Sequence, residues 1–364
     1  MTGSSDSLPA GRRGRNRIWF VGPLPPALSG QTRFNAVLAE RLARFAALRA
    51  LPTGGSASEK IWRAILNPLR LLFGVRRGDT IYCSAPGQMG LWLFLPTIAA
   101  LRLRRLPHFV HHHSYRAVAL APLASHRWLC RIGGPRQRHV FLCDSMREGY
   151  SAAYLSPAQA EIAMVVPNAF LFAAGLPDLP RRDGPVVVAH LSVITREKGI
   201  DHILDLQRRL ADDPEVEFLI GGPIADPALR ATVEAAVAAS GGKMRWIGPV
   251  EGQAKADFYA RSDIFVLPTR LIDEADPLVL LESYSAGVGV LAAQRGCIPD
   301  RLVSPDHTLT FELEADAARL RAMIAEVRMD RVALGEACQR HAAALNTKAA
   351  VQGRDFLEAL GERP

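Results

Sequence analysis

The strongest constraint on this chain is an alternation of short apolar runs with helical stretches, and the alternation occurs twice. In the first half, Arg17–Gly22 (RIWFVG), Thr80–Ser84 (TIYCS), Pro107–His113 (PHFVHHH), His139–Cys143 (HVFLC) and Ile162–Val166 (IAMVV) read as strands. Between the first two, Gln31–Arg49 places Phe34, Val37, Leu38, Leu42 and Phe45 at helical spacing. The second half repeats the logic. Strand-like Val186–Leu191, Val216–Ile220, Met244–Ile247, Ile264–Leu267 and Gly289–Ala293 alternate with helical Ile200–Leu210, Leu229–Ala239, Ala254–Ala260 and Pro277–Ala286. Strands alternating with helices predict parallel sheets covered on both faces. Two such series in 364 residues predict an α/β protein of two doubly wound, Rossmann-like domains.

The expected organisation is a basic tail over 1–17, a first domain over 18–175, a second over 176–345, and a C-terminal helix over 346–364. The junction falls near 169–182, where Pro177, Pro180 and Pro185 break the pattern. Five scattered cysteines form no C-x-x-C pair, which argues against a disulfide framework or structural zinc and for a reducing compartment. The first 17 residues lack the apolar core of a secretory signal. The longest uncharged apolar run, Gly87–Leu101, is shorter than the roughly 20 residues a spanning helix needs. These features predict a cytoplasmic protein without a membrane-spanning anchor.

Charge divides the two halves. Residues 1–180 hold 22 Lys+Arg against 8 Asp+Glu, a net +14, and residues 181–364 hold 22 against 28, a net −6. The halves are therefore expected to meet different partners. Lys60–Phe73 (KIWRAILNPLRLLF) reads as a basic amphipathic helix containing Trp62, although Pro68 falls inside it, and arginines cluster again after the apolar run at Arg102, Arg104 and Arg105. Such a pattern suits an anionic membrane surface; a core helix with ordinary surface arginines reads the same way.

Three features of the second half carry chemistry. Thr195-Arg196-Glu197-Lys198-Gly199-Ile200-Asp201 lies between a strand and a helix. Two cations and a glycine at a helix N-terminus suit a phosphate, because the helix dipole, free N–H groups and full charges all attract an anion. Phe218–Pro223 (FLIGGP) ends a strand in glycines that permit close approach to the backbone. Leu267–Gly287 (LPTRLIDEADPLVLLESYSAG) holds Glu274 and Glu282 at E-x7-E spacing, with Pro277 opening the helix. Glu282 follows Val279, Leu280 and Leu281, so its carboxylate needs partners, which ligand hydroxyls would supply.

Taken in order, R-E-K-G-I-D, GGP, WIGPV, SDIFVLPTR and E-x7-E with E-x-x-x-A-G resemble the nucleotide-sugar domain of retaining glycosyltransferases of family 4. Val166-Pro167-Asn168-Ala169 resembles that family's junction element, Gly22-Pro23 with Gly30 its N-terminal glycine-rich loop, and His111–Tyr115 its strand-end histidine motif. The resemblance spans Ile18 to Arg301 and implies the GT-B fold, in which two Rossmann-like domains face each other across a cleft. It implies a nucleotide-sugar donor, with Arg196 and Lys198 on the diphosphate, Glu282 on the ribose and Glu274 facing the transferred sugar. It further implies that the N–H groups of Leu278 and Val279 assist, that Pro249 and Val250 contact the base, that Gly30 admits the loop to the sugar and phosphates, and that one of His111–His113, His113 by position, faces the reacting centre. It implies no metal or other cofactor, and a C-terminal helix that returns to the first domain.

The sequence departs from the family where Ala189-His190 stands in place of Gly-Arg, and where Ala169 replaces the junction glycine. No D-x-D metal motif is present; Asp273 and Asp276 are not so spaced. The expected reaction is hexosyl transfer from a nucleotide sugar to a lipid-linked saccharide, such as a polyprenyl-diphosphate-linked acceptor, in polysaccharide biosynthesis. Two alternatives keep part of this reading. One is the same fold acting on a small soluble acceptor, and the other is a module that binds anionic surfaces or nucleic acid. The last fits least, since no nucleic-acid motif or aromatic interleaving accompanies the basic half.

Overall fold

The computed structural model describes residues 17–25, 30–172 and 183–362. Most of the expected tail, and the expected junction from 173 to 182, lie outside the described residues. The chain divides into two compact units. One comprises Met1–His111, Trp128–Arg138 and Phe356–Pro364, and the other His112–Arg127 and His139–Asp355.

Twelve strands form two parallel six-stranded sheets among the described residues. The first contains β1 (Arg17–Gly22), β2 (Ala47–Pro52), β3 (Thr80–Ala85), β4 (His108–His112), β5 (Gln137–Phe141) and β6 (Met164–Val165), in the order β2-β1-β3-β4-β5-β6. The second contains β7 (Val186–Leu191), β8 (Val216–Gly221), β9 (Met244–Trp246), β10 (Ile264–Leu267), β11 (Gly289–Ala293) and β12 (Thr308–Leu309), in the order β12-β11-β10-β7-β8-β9. The helices of the first half are α1 (Gly30–Ala43), α2 (Ala57–Gly74), α3 (Gly90–Leu103), α4 (Arg116–Ala119), α5 (Ala124–Gly133), α6 (Asp144–Tyr154), α7 (Pro157–Glu161) and α8 (Ala169–Phe172). Those of the second are α9 (Ile200–Arg209), α10 (Pro227–Ala239), α11 (Gly252–Ala260), α12 (Leu278–Ser285), α13 (Leu313–Met329) and α14 (Arg331–Leu360).

Pleating explains the two-sided core of the second sheet. On β7, Val186 and Val188 enter one apolar cluster with Ile203, Leu206 and Val266, while Val187, Ala189 and Leu191 enter another with Phe265, Leu280 and Tyr284. A strand buried on both faces needs a continuous apolar run, which is what VVVAHL supplies. The same sheet reverses its strand order between β7 and β10, which lie side by side in parallel. In open α/β sheets that reversal, at the carboxyl ends of the strands, is where ligands bind.

Three sequence expectations change. The helix expected over 31–49 ends at Ala43, and Ala47–Pro52 is an edge strand paired in parallel with β1. ALRALP has helix-forming composition, and pairing against β1 overrides it. Second, α2 continues through the buried Pro68 as a single helix. Third, a disulfide joins Cys143 and Cys297, 154 residues apart, and the other three cysteines are buried and in no disulfide. Spacing along the chain carries no signal of so distant a pair.

Histidines are packed inside both units. His111 Nδ1 lies 2.9 Å from the Tyr82 hydroxyl in the first unit, beside Phe34 and Phe356. In the second, His112 Nε2 lies 2.9 Å from His139 Nδ1, and the two rings stack. Burial lowers the pKa of His108, His126 and His190 from 6.5 to about 4, and of His113 to about 3. These groups are neutral in the fold at pH 7. Below pH 6.5 the unfolded chain binds protons that the fold refuses, so stability falls between pH 6.5 and about 4. Each such histidine contributes on the order of 2 kcal/mol to that loss. Urea midpoints measured at pH 7 and pH 4.5 should therefore differ clearly, and equal midpoints would contradict the burial of these rings.

Candidate active site

Four loops that follow β7, β8, β9 and β10 are linked in series by backbone hydrogen bonds. Ile194 N–H donates to the Pro223 carbonyl at 3.0 Å, and Gly222 N–H to the Gly248 carbonyl at 2.7 Å. Arg270 N–H donates to the Glu197 carbonyl at 2.7 Å, which ties the loop after β10 to the R-E-K-G loop. Two glycines make this contact possible. Gly199 has φ +85° and Gly222 φ +124°, and a Cβ on either would stand 2.0 Å from the Pro268 oxygen or 1.7 Å from the Ser192 oxygen.

The E-x7-E glutamates are both held by lysine. Glu274, buried in the loop after β10, accepts from Lys198 Nζ at 2.5 Å. Glu282, inside α12, accepts from Lys255 Nζ at 2.5 Å and from the Tyr259 hydroxyl at 3.0 Å. Burial, with the Glu282 charge beside it, raises the Tyr259 pKa well above its ordinary value, so the phenol stays a donor. Lys198 and Glu274 thus meet across β7 and β10, at the reversal of strand order. Arg196 does not join them: it is 59% exposed and turns back to Asp201, 2.8 Å away. His190, in place of the family's arginine, is buried with Nδ1 2.9 Å from the Val266 carbonyl. Burial, and after it the nearby Lys198 charge, favour its neutral form.

The remaining expected residues separate into near and distant. Leu278 and Val279 open α12, whose N-terminus no side chain caps, behind Pro277. Val250 packs on the same apolar cluster as Leu280, and Pro249 beside it is exposed. His113 directly follows β4. Its neighbour Ser114 donates to Asp273 at 2.7 Å, and Arg116 grips the same carboxylate with two bonds of 2.9 and 2.7 Å. That pair brings the segment after His113 to the residue next to Glu274. Gly30 belongs to the first unit, where it is exposed at the start of α1 and a Cβ would meet no described atom.

Sequence reasoning missed the residues that hold this loop. Asp273 is clamped by Arg116, while Asp276 takes Arg301 at 2.7 Å and the Asn168 N–H at 2.9 Å. The hydrogen bond to Asp273 raises the Arg116 pKa; at Arg301, burial alone would lower it, and the Asp276 charge more than offsets that. These partners lie 157, 25 and 108 residues from their carboxylates, beyond any local motif. Lys255 and Tyr259 were likewise silent, being ordinary residues of a short helix with no motif. Among the described residues, no three His, Cys, Asp or Glu side chains gather as a metal site.

Gly199→Ala should cost about 2 kcal/mol or more, because the left-handed backbone and the Pro268 carbonyl both oppose a side chain. Chemical denaturation checks this, and a neutral substitution would mean that the loop does not seat on β10 as described.

The description Glycosyl transferases group 1 matches residues 176–344. The GDP-mannose:glycolipid 4-beta-D-mannosyltransferase of Xanthomonas campestris pv. campestris is 28% identical over 144 residues, 40% of this chain and 41% of that protein. The chain thus spans well under half the length of the curated relatives it matches. Among solved structures, Anabaena Alr3699/HepE in complex with UDP superposes with a TM-score of 0.70 at 14% identity, covering 94% of this chain and 100% of that one. A lipopolysaccharide outer core galactosyltransferase superposes at 0.65 with 15% identity, covering 93% and 99%. With the reversal of strand order, and the R-E-K-G loop and the E-x7-E pair beside one sheet, residues 176–344 match the group 1 glycosyltransferases, in a chain of GT-B fold.

Proposed function

We propose that this chain transfers a hexose from a nucleotide sugar to a lipid-linked saccharide, with retention of anomeric configuration and without a metal. The observation that carries the donor half is the Lys198–Glu274 pair at the carboxyl ends of β7 and β10. A bound diphosphate offers Lys198 a stronger, doubly charged partner, and the amino group moves to it. Glu274 is then released to accept hydrogen bonds from sugar hydroxyls. As the bond between the anomeric carbon and the diphosphate oxygen breaks, charge grows on the phosphate, where Lys198 and the N–H groups of Leu278 and Val279 stabilise it. The acceptor hydroxyl oxygen takes the vacated place on that carbon, and its proton passes to the departing diphosphate oxygen, which leaves with the electron pair of the broken bond. His113, neutral with a pKa lowered to about 3 by burial, suits hydrogen bonding to the sugar better than proton removal. Glu282, fixed by Lys255 and Tyr259, is oriented to accept from ribose hydroxyls. Support for a saccharide or glycolipid acceptor comes from the relatives: a glycolipid mannosyltransferase and a lipopolysaccharide galactosyltransferase.

One observation favours a second reading of the stereochemistry. The curated relative is named for a beta-linked product, which on an α-linked donor means inversion. The anomeric configuration of the product separates the two.

Lys198→Ala should weaken nucleoside-diphosphate binding by about 1.5–3 kcal/mol, the range for hydrogen bonds to charged groups. Calorimetry measures this; unchanged affinity would leave Lys198 as a holder of Glu274 alone. Glu282→Gln keeps size and loses charge, so donor affinity should fall with the fold intact. A mutant that melts early yet binds donor normally would make Glu282 a structural carboxylate.

A further inference from the structure

The α2–α3 face of the first unit is not explained by the fold. α2 buries Asn67, Pro68 and Leu71 toward its unit. Its opposite side leaves Ile61, Trp62, Ile65 and Leu69 about half exposed, and Phe73 84% exposed. Ile61, Ile65, Leu69 and Phe73 recur every four positions, with Trp62 beside Ile61, and line one side of the helix. On α3, Trp92 and Leu103 are exposed on one stripe, with Leu103 at 75%. By contrast α9, an ordinary covering helix, buries Ile200, Ile203, Leu204 and Leu206. Among the described residues, apolar exposure is thus concentrated on these two neighbouring helices. Arg104 ties them together, with its guanidinium on the carbonyls of Leu72 and Val75. Around this junction the charge is predominantly positive. Residues 57–105 contain 8 Lys+Arg and two acids, Glu59 and Asp79, which are paired with Arg63 and Arg17. Lys60, Arg70, Arg76 and Arg77 are exposed.

We propose that this face docks on the surface of an anionic phospholipid bilayer, with the apolar stripe entering the headgroup region and the arginines meeting lipid phosphates. A monolayer of acyl chains accepts Trp62 and Phe73, and acidic headgroups complement the cations beside them. A purely apolar partner would leave those cations unpaired, and a nucleic acid would leave the aliphatic stripe without a match. No described helix is long and apolar enough to cross a membrane, so attachment is to the surface. The proposal stands on this face alone; only its use, bringing the chain to a lipid-carried acceptor, rests on the reading above.

The test floats the full chain on vesicles of phosphatidylcholine, with and without phosphatidylglycerol, across a salt series. Binding should require the anionic lipid and weaken as salt rises, since charges beyond about 8 Å are screened at physiological salt. Replacing Arg70, Arg76 and Arg77 together by Gln should cut partitioning on the order of a hundredfold, and Trp62→Ser with Phe73→Ser should also abolish flotation. All five side chains are exposed, so the fold should survive, and an unchanged urea midpoint confirms that it does. Equal flotation on both lipids, none on either, or flotation untouched by these variants overturns the proposal. So does a dimer in sedimentation, or binding of random-sequence DNA, that the same variants abolish. Loss of donor binding alone would count against the transferase reading and leave this one intact.

Discussion

The ion pair between Lys198 and Glu274 depends on two strands, β7 and β10, lying side by side where the sheet changes direction. Nothing local to either residue brings them together; they are 76 positions apart. The contact needs the loop after β7 to sit on the loop after β10, and that seating needs Gly199. A side chain there would collide with the Pro268 carbonyl. A single backbone requirement thus places a cation and a carboxylate at the position where α/β sheets receive ligands.

The loop carrying Glu274 is held from both sides by its neighbours. Asp273 is gripped by Arg116 and Ser114, and Asp276 by Arg301 and Asn168. Arg301 also donates to the Leu142 carbonyl, and the Cys143–Cys297 bond joins the same two regions. Such bonds fix a loop that would otherwise sample many conformations, and a carboxylate held in place before a ligand arrives loses less freedom on binding.

Much of this was legible in the sequence because it is written in short range. Continuous apolar runs such as VVVAHL marked the buried strands, and R-E-K-G at a strand end marked the cationic loop. The E-x7-E spacing placed two carboxylates at and inside one helix. What escaped was long range or ambiguous in composition. ALRALP became a strand only because β1 offers it a ladder. The pairing of Arg196 with Asp201 is another contact that the motif alone did not reveal. Lys255 and Tyr259, the partners of Glu282, sit 27 and 23 residues away on a helix with no motif of its own. The three histidines read alike in sequence, and only packing distinguishes His111 and His112, buried among aromatic rings, from His113 beyond the strand end.

The central claim, that the Lys198–Glu274 site serves sugar transfer from a nucleotide donor, is tested most directly by a transfer assay. The chain is incubated in EDTA with UDP-, GDP-, ADP- and TDP-hexoses and a polyprenyl-diphosphate-linked saccharide, and the lipid-extracted product is read by NMR. The account predicts one donor class giving a longer lipid-linked saccharide whose new linkage keeps the donor's anomeric configuration. No transfer from any donor, or an inverted linkage, or transfer that stops in EDTA and returns with a divalent cation, would contradict it.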